Sequence, residues 1–212
     1  AEYIATRMKW EPIVEITQIK GDSETHPELS PDDEFADFEE FPFYLQSEYS
    51  PYVVKPGDYV RSALKRGLSL EQEFGQNPYQ FGMIGSTDAH TGMSSAEEDN
   101  FWGKLATDSI PENKSTQWSG GTQKAPDGWS MSASGLAAVW AEENTRESIL
   151  AAMQRREVYA TSGPRISLQF YGGSELDSLD LDSAGLYQQA TAAGVPMGGE
   201  LPSTPGPDNA PV

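Results

Sequence analysis

The chain has no cysteine among its 212 residues. That excludes disulfides, thiolate metal ligands and cysteine nucleophiles, and it leaves the redox compartment unmarked. Any metal must be held by oxygen and imidazole. Positive charge is also scarce: 14 Lys and Arg face 33 Asp and Glu, a formal charge of −19. Such a field repels phosphate backbones and anionic lipid surfaces, so neither nucleic acid nor a membrane surface is an expected partner. The acidity itself has two readings, solubility or salt adaptation on one side and attraction of divalent cations on the other. No apolar run reaches the length of about 18 residues that a membrane-spanning helix needs. There is no Gly-x-Ser-x-Gly string to support a serine triad, and the glycine pairs at 120–121, 172–173 and 198–199 match no phosphate-loop pattern. The start, Ala1-Glu2-Tyr3-Ile4, carries neither a Met nor a basic-then-apolar leader, which reads as a soluble segment that has been processed or truncated.

What is present is enough for a packed interior, with 37% hydrophobic and 10% aromatic residues. The length permits one sizeable core or two small domains. Residues 13–19, rich in β-branched side chains and stopped by Gly21, predict a strand. A long polar loop with clustered carboxylates and prolines follows to about Pro56. Asp58 is placed to cap a helix that runs to Phe74, with Val60, Leu64 and Leu68 on one face and Gly75 as the stop. Residues 81–85 predict a short buried strand. Residues 94–135, with Trp102, Trp118 and Trp129 among Ser, Gly, Asn and Pro, read as an extended covering loop that packs down. Residues 136–141 predict a strand, and Asn144 or Thr145 caps a helix to about Arg156, with Glu147 in its first turn. Further strands are expected at 158–161 and 166–171. Beyond Gly172 the pattern weakens, and the end, residues 198–212, is Pro- and Gly-rich with no closing helix expected. The alternation of strand and helix predicts an α/β class built from βαβ units.

Histidine occurs twice, and each copy lies two residues after an acid: Glu24-Thr25-His26 and Asp88-Ala89-His90. In extended backbone, residues i and i+2 project to one side, so each unit can aim a carboxylate oxygen and an imidazole nitrogen at one point. Zn²⁺, Mn²⁺ and Fe²⁺ accept such mixed donors. Both units follow predicted strands, and in parallel α/β folds ligands collect beyond the carboxyl ends of strands. The plain alternative is a surface histidine that meets an acid by chance in an acidic chain. Glu142 and Glu143 follow another strand and could serve as ligand, general base or first-turn acid of the next helix. Thr161, Ser162 and Arg165, in the string Thr161-Ser162-Gly163-Pro164-Arg165, could hold an anion such as phosphate or carboxylate, or form an ordinary turn.

Four strings taken in order resemble a bacterial family of uncharacterised proteins: residues 19–27, 84–90, 139–146 and 159–165. That family is related to the PHP (polymerase and histidinol phosphatase) metallohydrolases, in the wider amidohydrolase-like group. The resemblance spans most of residues 10–173. It implies a distorted β/α barrel in which two or three ions of zinc, manganese or iron activate water for phosphoester hydrolysis. The Asp-x-His that ends PHP metal motifs maps onto Asp88 and His90, and Glu24 and His26 are carried over as further ligands. The N-terminal His-x-His of those proteins is absent, so the chain resembles the later part of a longer protein. On this reading residues 1–171 form a partial PHP-like metallohydrolase domain, and residues 172–212 a Gly- and Pro-rich extension or the start of a β element.

Two functions follow, with a third ranked below them. The first is a metal-dependent phosphoesterase fragment acting on a small, phosphorylated substrate, with the predicted ligands facing one cavity and Arg165 neutralising the substrate. The second is a non-catalytic periplasmic or extracellular module with an aromatic-lined groove for an organic ligand. A glycosidase built on a carboxylate pair is the third.

Overall fold

The computed structural model describes residues 2–44, 50–90, 105, 110, 112 and 135–201. It is an α/β protein whose elements run α1 (Glu2–Trp10), β1 (Ile13–Gln18), β2 (Gly21–Asp22), α2 (Val60–Phe74), β3 (Gly82–Gly85), β4 (Leu136–Val139), α3 (Arg146–Gln154), β5 (Val158–Thr161), β6 (Tyr171–Gly172), α4 (Leu186–Ala193) and β7 (Val195–Pro196). The described strands form three small sheets, ordered β2-β1-β3, β4-β5 and β6-β7. No described helix is long and apolar enough to cross a membrane. The chain divides into two compact units, Ala1–Ala138 with Tyr159–Arg165, and Val139–Val158 with Ile166–Val212.

In the first unit, β1 and β3 lie side by side and parallel, with Ile13 opposite Gly82 and Thr17 opposite Gly85. The crossover between them contains α2, so this is the βαβ unit that the sequence pattern predicts. The register slips between Glu15 and Thr17, a bulge that leaves Ile16 without a partner on β3. Its carbonyl accepts the Ser23 N–H at 2.7 Å instead. Bulges of this kind re-aim the end of a strand. Beyond it the chain buries Thr17 and then Ile19, the largest fully buried side chain of the described core.

Helix α2 ends as expected, on Gly75 in the left-handed conformation, but it does not begin on an Asp58 cap. Asp58 closes a single 3-10 turn at Pro56–Asp58, and the cap position falls to Tyr59, which makes no side-chain cap bond. The first amides bond to the distant chain instead: Val60 N–H to Ser23 O at 2.9 Å and Arg61 N–H to Glu24 O at 3.0 Å. Tertiary partners thus satisfy the donors that a local Asp would have taken. The buried face also differs from the expected Val60, Leu64, Leu68 stripe. Val60 and Gly67 are buried and Leu68 is exposed, because the helix lies down where Gly67 meets the Asn77 side chain.

In α3 the cap is Thr145, whose Oγ1 accepts the Ser148 N–H at 3.3 Å. The first-turn acid is Glu147 rather than Glu142 or Glu143. The strand expected over 166–171 shrinks to Tyr171–Gly172, which pairs antiparallel with β7. Helices α1 and α4 were not expected; neither buries a residue, so neither carries the apolar stripe that marks a helix in sequence. The covering loop, with Trp102, Trp118 and Trp129, lies outside the described residues except at 105, 110, 112 and 135.

The turn after β1 depends on two adjacent residues. Gly21 has φ +88°, and a Cβ there would collide with the Glu39 carbonyl and stand 2.9 Å from Phe41 Cβ. Only glycine meets both demands. Gly21→Ala should therefore lower unfolding stability by on the order of 2 kcal/mol in urea titrations; an unchanged midpoint would contradict this account of the turn. Next to it, burial pushes the Asp22 carboxyl up to about 6, from a usual value of 3.8, against the opposing effect of the Glu24 N–H donated to Oδ1 at 2.9 Å. A raised carboxyl favours the neutral form in the folded chain. The stability it contributes is complete below about 3.8 and is lost as pH rises through about 6. Asp22→Asn keeps the acceptor and removes the charge. It should exceed the wild type at pH 7 by on the order of 1 kcal/mol, allowing for solvent screening, and the two melting curves should converge below about pH 4. A difference that is constant with pH would contradict the burial.

Candidate metal centre

The parallel pairing of β1 and β3 brings the segments after both carboxyl ends to the same edge of the sheet, and the predicted residues lie there. After β3 the chain continues through Ser86, whose N–H bonds to Thr17 O of β1 at 3.0 Å and whose hydroxyl bonds to Glu15. The Ala89 N–H bonds to Thr87 Oγ1 at 3.2 Å, and between them Asp88 adopts φ +47°. A non-glycine residue in the left-handed region costs about 1 kcal/mol, with Asp among the most tolerant. The strained turn swings the Asp88 side chain into reach of two groups. Its Oδ2 pairs with the ammonium of Lys20, just beyond β1, and its Oδ1 stands 3.3 Å from His90 Nε2. Asp88 and Lys20 are largely buried, at 23% and 18% exposure, whereas His90 is open at 57%.

This geometry passes one test for a metal. Two ligand atoms on a tetrahedral Zn²⁺, bonded at about 2.0–2.2 Å, stand about 3.3–3.5 Å apart. Oδ1 of Asp88 and Nε2 of His90 meet that separation, which a charged imidazole bonded to the carboxylate would meet equally. The chemistry of the donors, one carboxylate oxygen and one imidazole nitrogen, suits zinc, manganese or iron. A full ligand set is a stricter demand. Among the described residues no group of three or more His, Asp or Glu side chains is arranged to hold an ion.

The second acid-x-His unit separates. The Glu24 carboxylate turns to Arg61, which also binds Asp33 Oδ2 at 2.7 Å. The Arg61 guanidinium holds the Asp33 carboxyl below its usual range. Glu24 thus ties the loop to α2. His26 takes a different acid: its Nε2 lies 3.5 Å from Glu40 Oε1, while its Nδ1 accepts the Glu28 N–H at 3.2 Å. The rings of Tyr52 and Tyr59 flank it at 6.4 and 6.0 Å. Of the four predicted ligands only His26 lines the adjoining cavity, of about 120 Å³, together with Lys20, Asp22, Glu40, Tyr52 and Tyr59. The Tyr52 and Tyr59 hydroxyls hydrogen-bond to each other, and burial, reinforced by Tyr52, raises the Tyr59 hydroxyl above its usual range. Lys20 therefore belongs to both places, bonded to Asp88 and lining the cavity that holds His26.

Sequence reasoning missed Lys20, Asp22 and Glu40. Lys20 and Asp22 could have been found as the charged residues nearest a strand end. Glu40 lies 14 positions from His26 in an irregular loop and carries no local signal. Of the remaining predicted residues, Thr161 ends β5 half-buried with Ser162 beside it, and Arg165 is exposed. Glu142 and Glu143 are exposed ahead of α3 in the second unit, where the Glu143 N–H bonds to Ser148 Oγ at 3.1 Å.

No curated protein and no solved structure matches the chain. One family model does, and it covers residues 1–212, a family described as a protein of unknown function, DUF3604. With the whole length matched, the chain belongs to the DUF3604 family.

Proposed function

We propose that this chain is part of a divalent-metal-dependent hydrolase related to the PHP metallohydrolases, acting on a small phosphorylated molecule. The observation that carries this reading is the 3.3 Å approach of Asp88 Oδ1 to His90 Nε2, on a strained turn beyond a parallel strand. Backbone strain held in place by its surroundings is concentrated at functional sites. The four strings that resemble a bacterial family related to the PHP group support the same reading. On that basis the parallel β1–β3 pair and its α2 crossover would be one segment of a distorted β/α barrel.

Asp88 and His90 would hold the ion. When bound, Zn²⁺, Mn²⁺ or Fe²⁺ lowers the pKa of water and supplies a nucleophile at neutral pH. The chain's own groups prepare the place. Lys20 fixes the Asp88 carboxylate through Oδ2, which leaves Oδ1 directed at the imidazole. The exposed His90 ring leaves an approach from solvent. His26, paired with Glu40 on the wall of the cavity, would be a candidate for moving a proton. Arg165, with the hydroxyls of Thr161 and Ser162, would meet the negative charge of the substrate. Glu24, held by Arg61, is left out of the ligand set.

Metal uptake tests this reading. After dialysis against Zn²⁺ or Mn²⁺, the wild type should retain metal with an affinity at least about tenfold above that of Asp88→Ala or His90→Ala. Arg61→Ala, which frees Glu24, should leave uptake unchanged. If the Asp88→Ala/His90→Ala double variant retains as much metal as the wild type, the assignment fails.

A further inference from the structure

A second cavity, of about 340 Å³, lies wholly within the second unit. Small-molecule sites run from roughly 300 to 1,000 Å³, so it is large enough for an organic ligand. Four aromatic side chains line it: Trp140, Phe170, Tyr171 and Tyr187. Three of them remain open to solvent, Phe170 at 65%, Tyr187 at 54% and Trp140 at 36%, so the apolar surface around the cavity has not been covered by the fold. Such a concentration of exposed ring faces marks a binding surface.

The rings are held rather than loose. The Trp140 indole N–H bonds to Leu168 O at 2.7 Å, and its backbone N–H to Glu157 O at 2.9 Å. Tyr171 is fixed by strand pairing with Pro196 and by its hydroxyl, 3.2 Å from Thr191 Oγ1. Preformed aromatic walls of this kind lower the entropic cost of binding.

The charges decide the class of ligand. The lining carries two carboxylates, Glu142 and Glu157, and one guanidinium, Arg155. Arg155 is bonded to Glu157 at 2.8 Å and also feels Glu142, so the lining keeps one net negative charge, with Glu142 its exposed carboxylate. An anionic ligand would meet a net negative charge, two carboxylates against the one guanidinium that acts on both, inside a chain of charge −19. A neutral sugar would use the ring faces but gain nothing from that charge. A cation gains from both, because ring faces carry negative electrostatic potential and attract ammonium groups, most of all when these are alkylated and weakly hydrated. We infer that the cavity between Trp140, Phe170, Tyr171 and Tyr187 binds a small organic cation, a quaternary or alkylated ammonium compound. The site is independent of Asp88 and stands whether or not that residue binds metal.

Calorimetric titration with choline, and with its neutral tert-butyl isostere, separates the cationic contribution from apolar burial. Choline should bind, and the isostere should bind at least about fivefold more weakly. Glu142→Gln, Trp140→Phe and Tyr187→Ala should each weaken choline; Tyr187 lies open on α4, so its removal leaves folding intact. Equal affinity for choline and the isostere would reduce the site to an apolar cleft and overturn the inference. So would no binding of choline, or choline binding that all three variants preserve.

Discussion

The parallel pairing of β1 with β3 is the constraint from which the geometry of the first unit follows. Parallel strands need a crossover, and a crossover returns the chain so that both carboxyl ends finish at one edge of the sheet. Lys20 leaves one end and Asp88 the other, and their ion pair joins the two exits. Without the pairing, the two residues are 68 positions apart in an acidic chain and nothing would make them meet. The bulge at Ile16 is part of the same arrangement, since it turns the end of β1 into the tight Gly21 turn. That turn in turn presents the Ser23 and Glu24 carbonyls to the start of α2. Strand, turn and helix cap therefore depend on one another.

The parts that were legible in the sequence are those fixed by short-range pattern. β-branched runs marked β1 and β5, Gly75 marked the end of α2, and Thr145 with Glu147 marked the start of α3. Asp88 and His90 do approach within 3.3 Å, but through the left-handed turn at Asp88 rather than the extended backbone on which the i, i+2 expectation rested. The same spacing did not join Glu24 to His26: Oε1 of Glu24 turns to Arg61 and the His26 imidazole to Glu40, each a partner far along the chain. Asp58 failed as a cap for a related reason, since carbonyls from residues 23 and 24 already occupied the donors. Partners chosen by tertiary approach leave no periodic trace. The helices α1 and α4 lacked a buried face to announce them.

The shortage of positive charge organises both candidate sites. With 14 bases against 33 acids, the described Lys and Arg ion pairs set single cations against carboxylates: Arg7 with Glu11, Lys20 with Asp88, Arg61 with Glu24 and Asp33, Arg155 with Glu157. The carboxylates outnumber their possible partners, and the remainder creates a field that draws cations in. At the end of β3 that field acts on a carboxylate oxygen and an imidazole nitrogen 3.3 Å apart, the proposed ion site. In the second unit it acts on a set of ring faces. The two proposals thus share one electrostatic origin while resting on different residues, and either can fail without the other.

The most direct test of the metal assignment uses the fact that the chain holds only two histidines. Histidine-selective nitrogen NMR during titration with Zn²⁺ reports each imidazole nitrogen separately. The account predicts that His90 Nε2 moves to the chemical shift of a metal-bound nitrogen and that the change disappears in Asp88→Ala. A titration in which the His90 nitrogens stay unmoved, or move identically without Asp88, would contradict it.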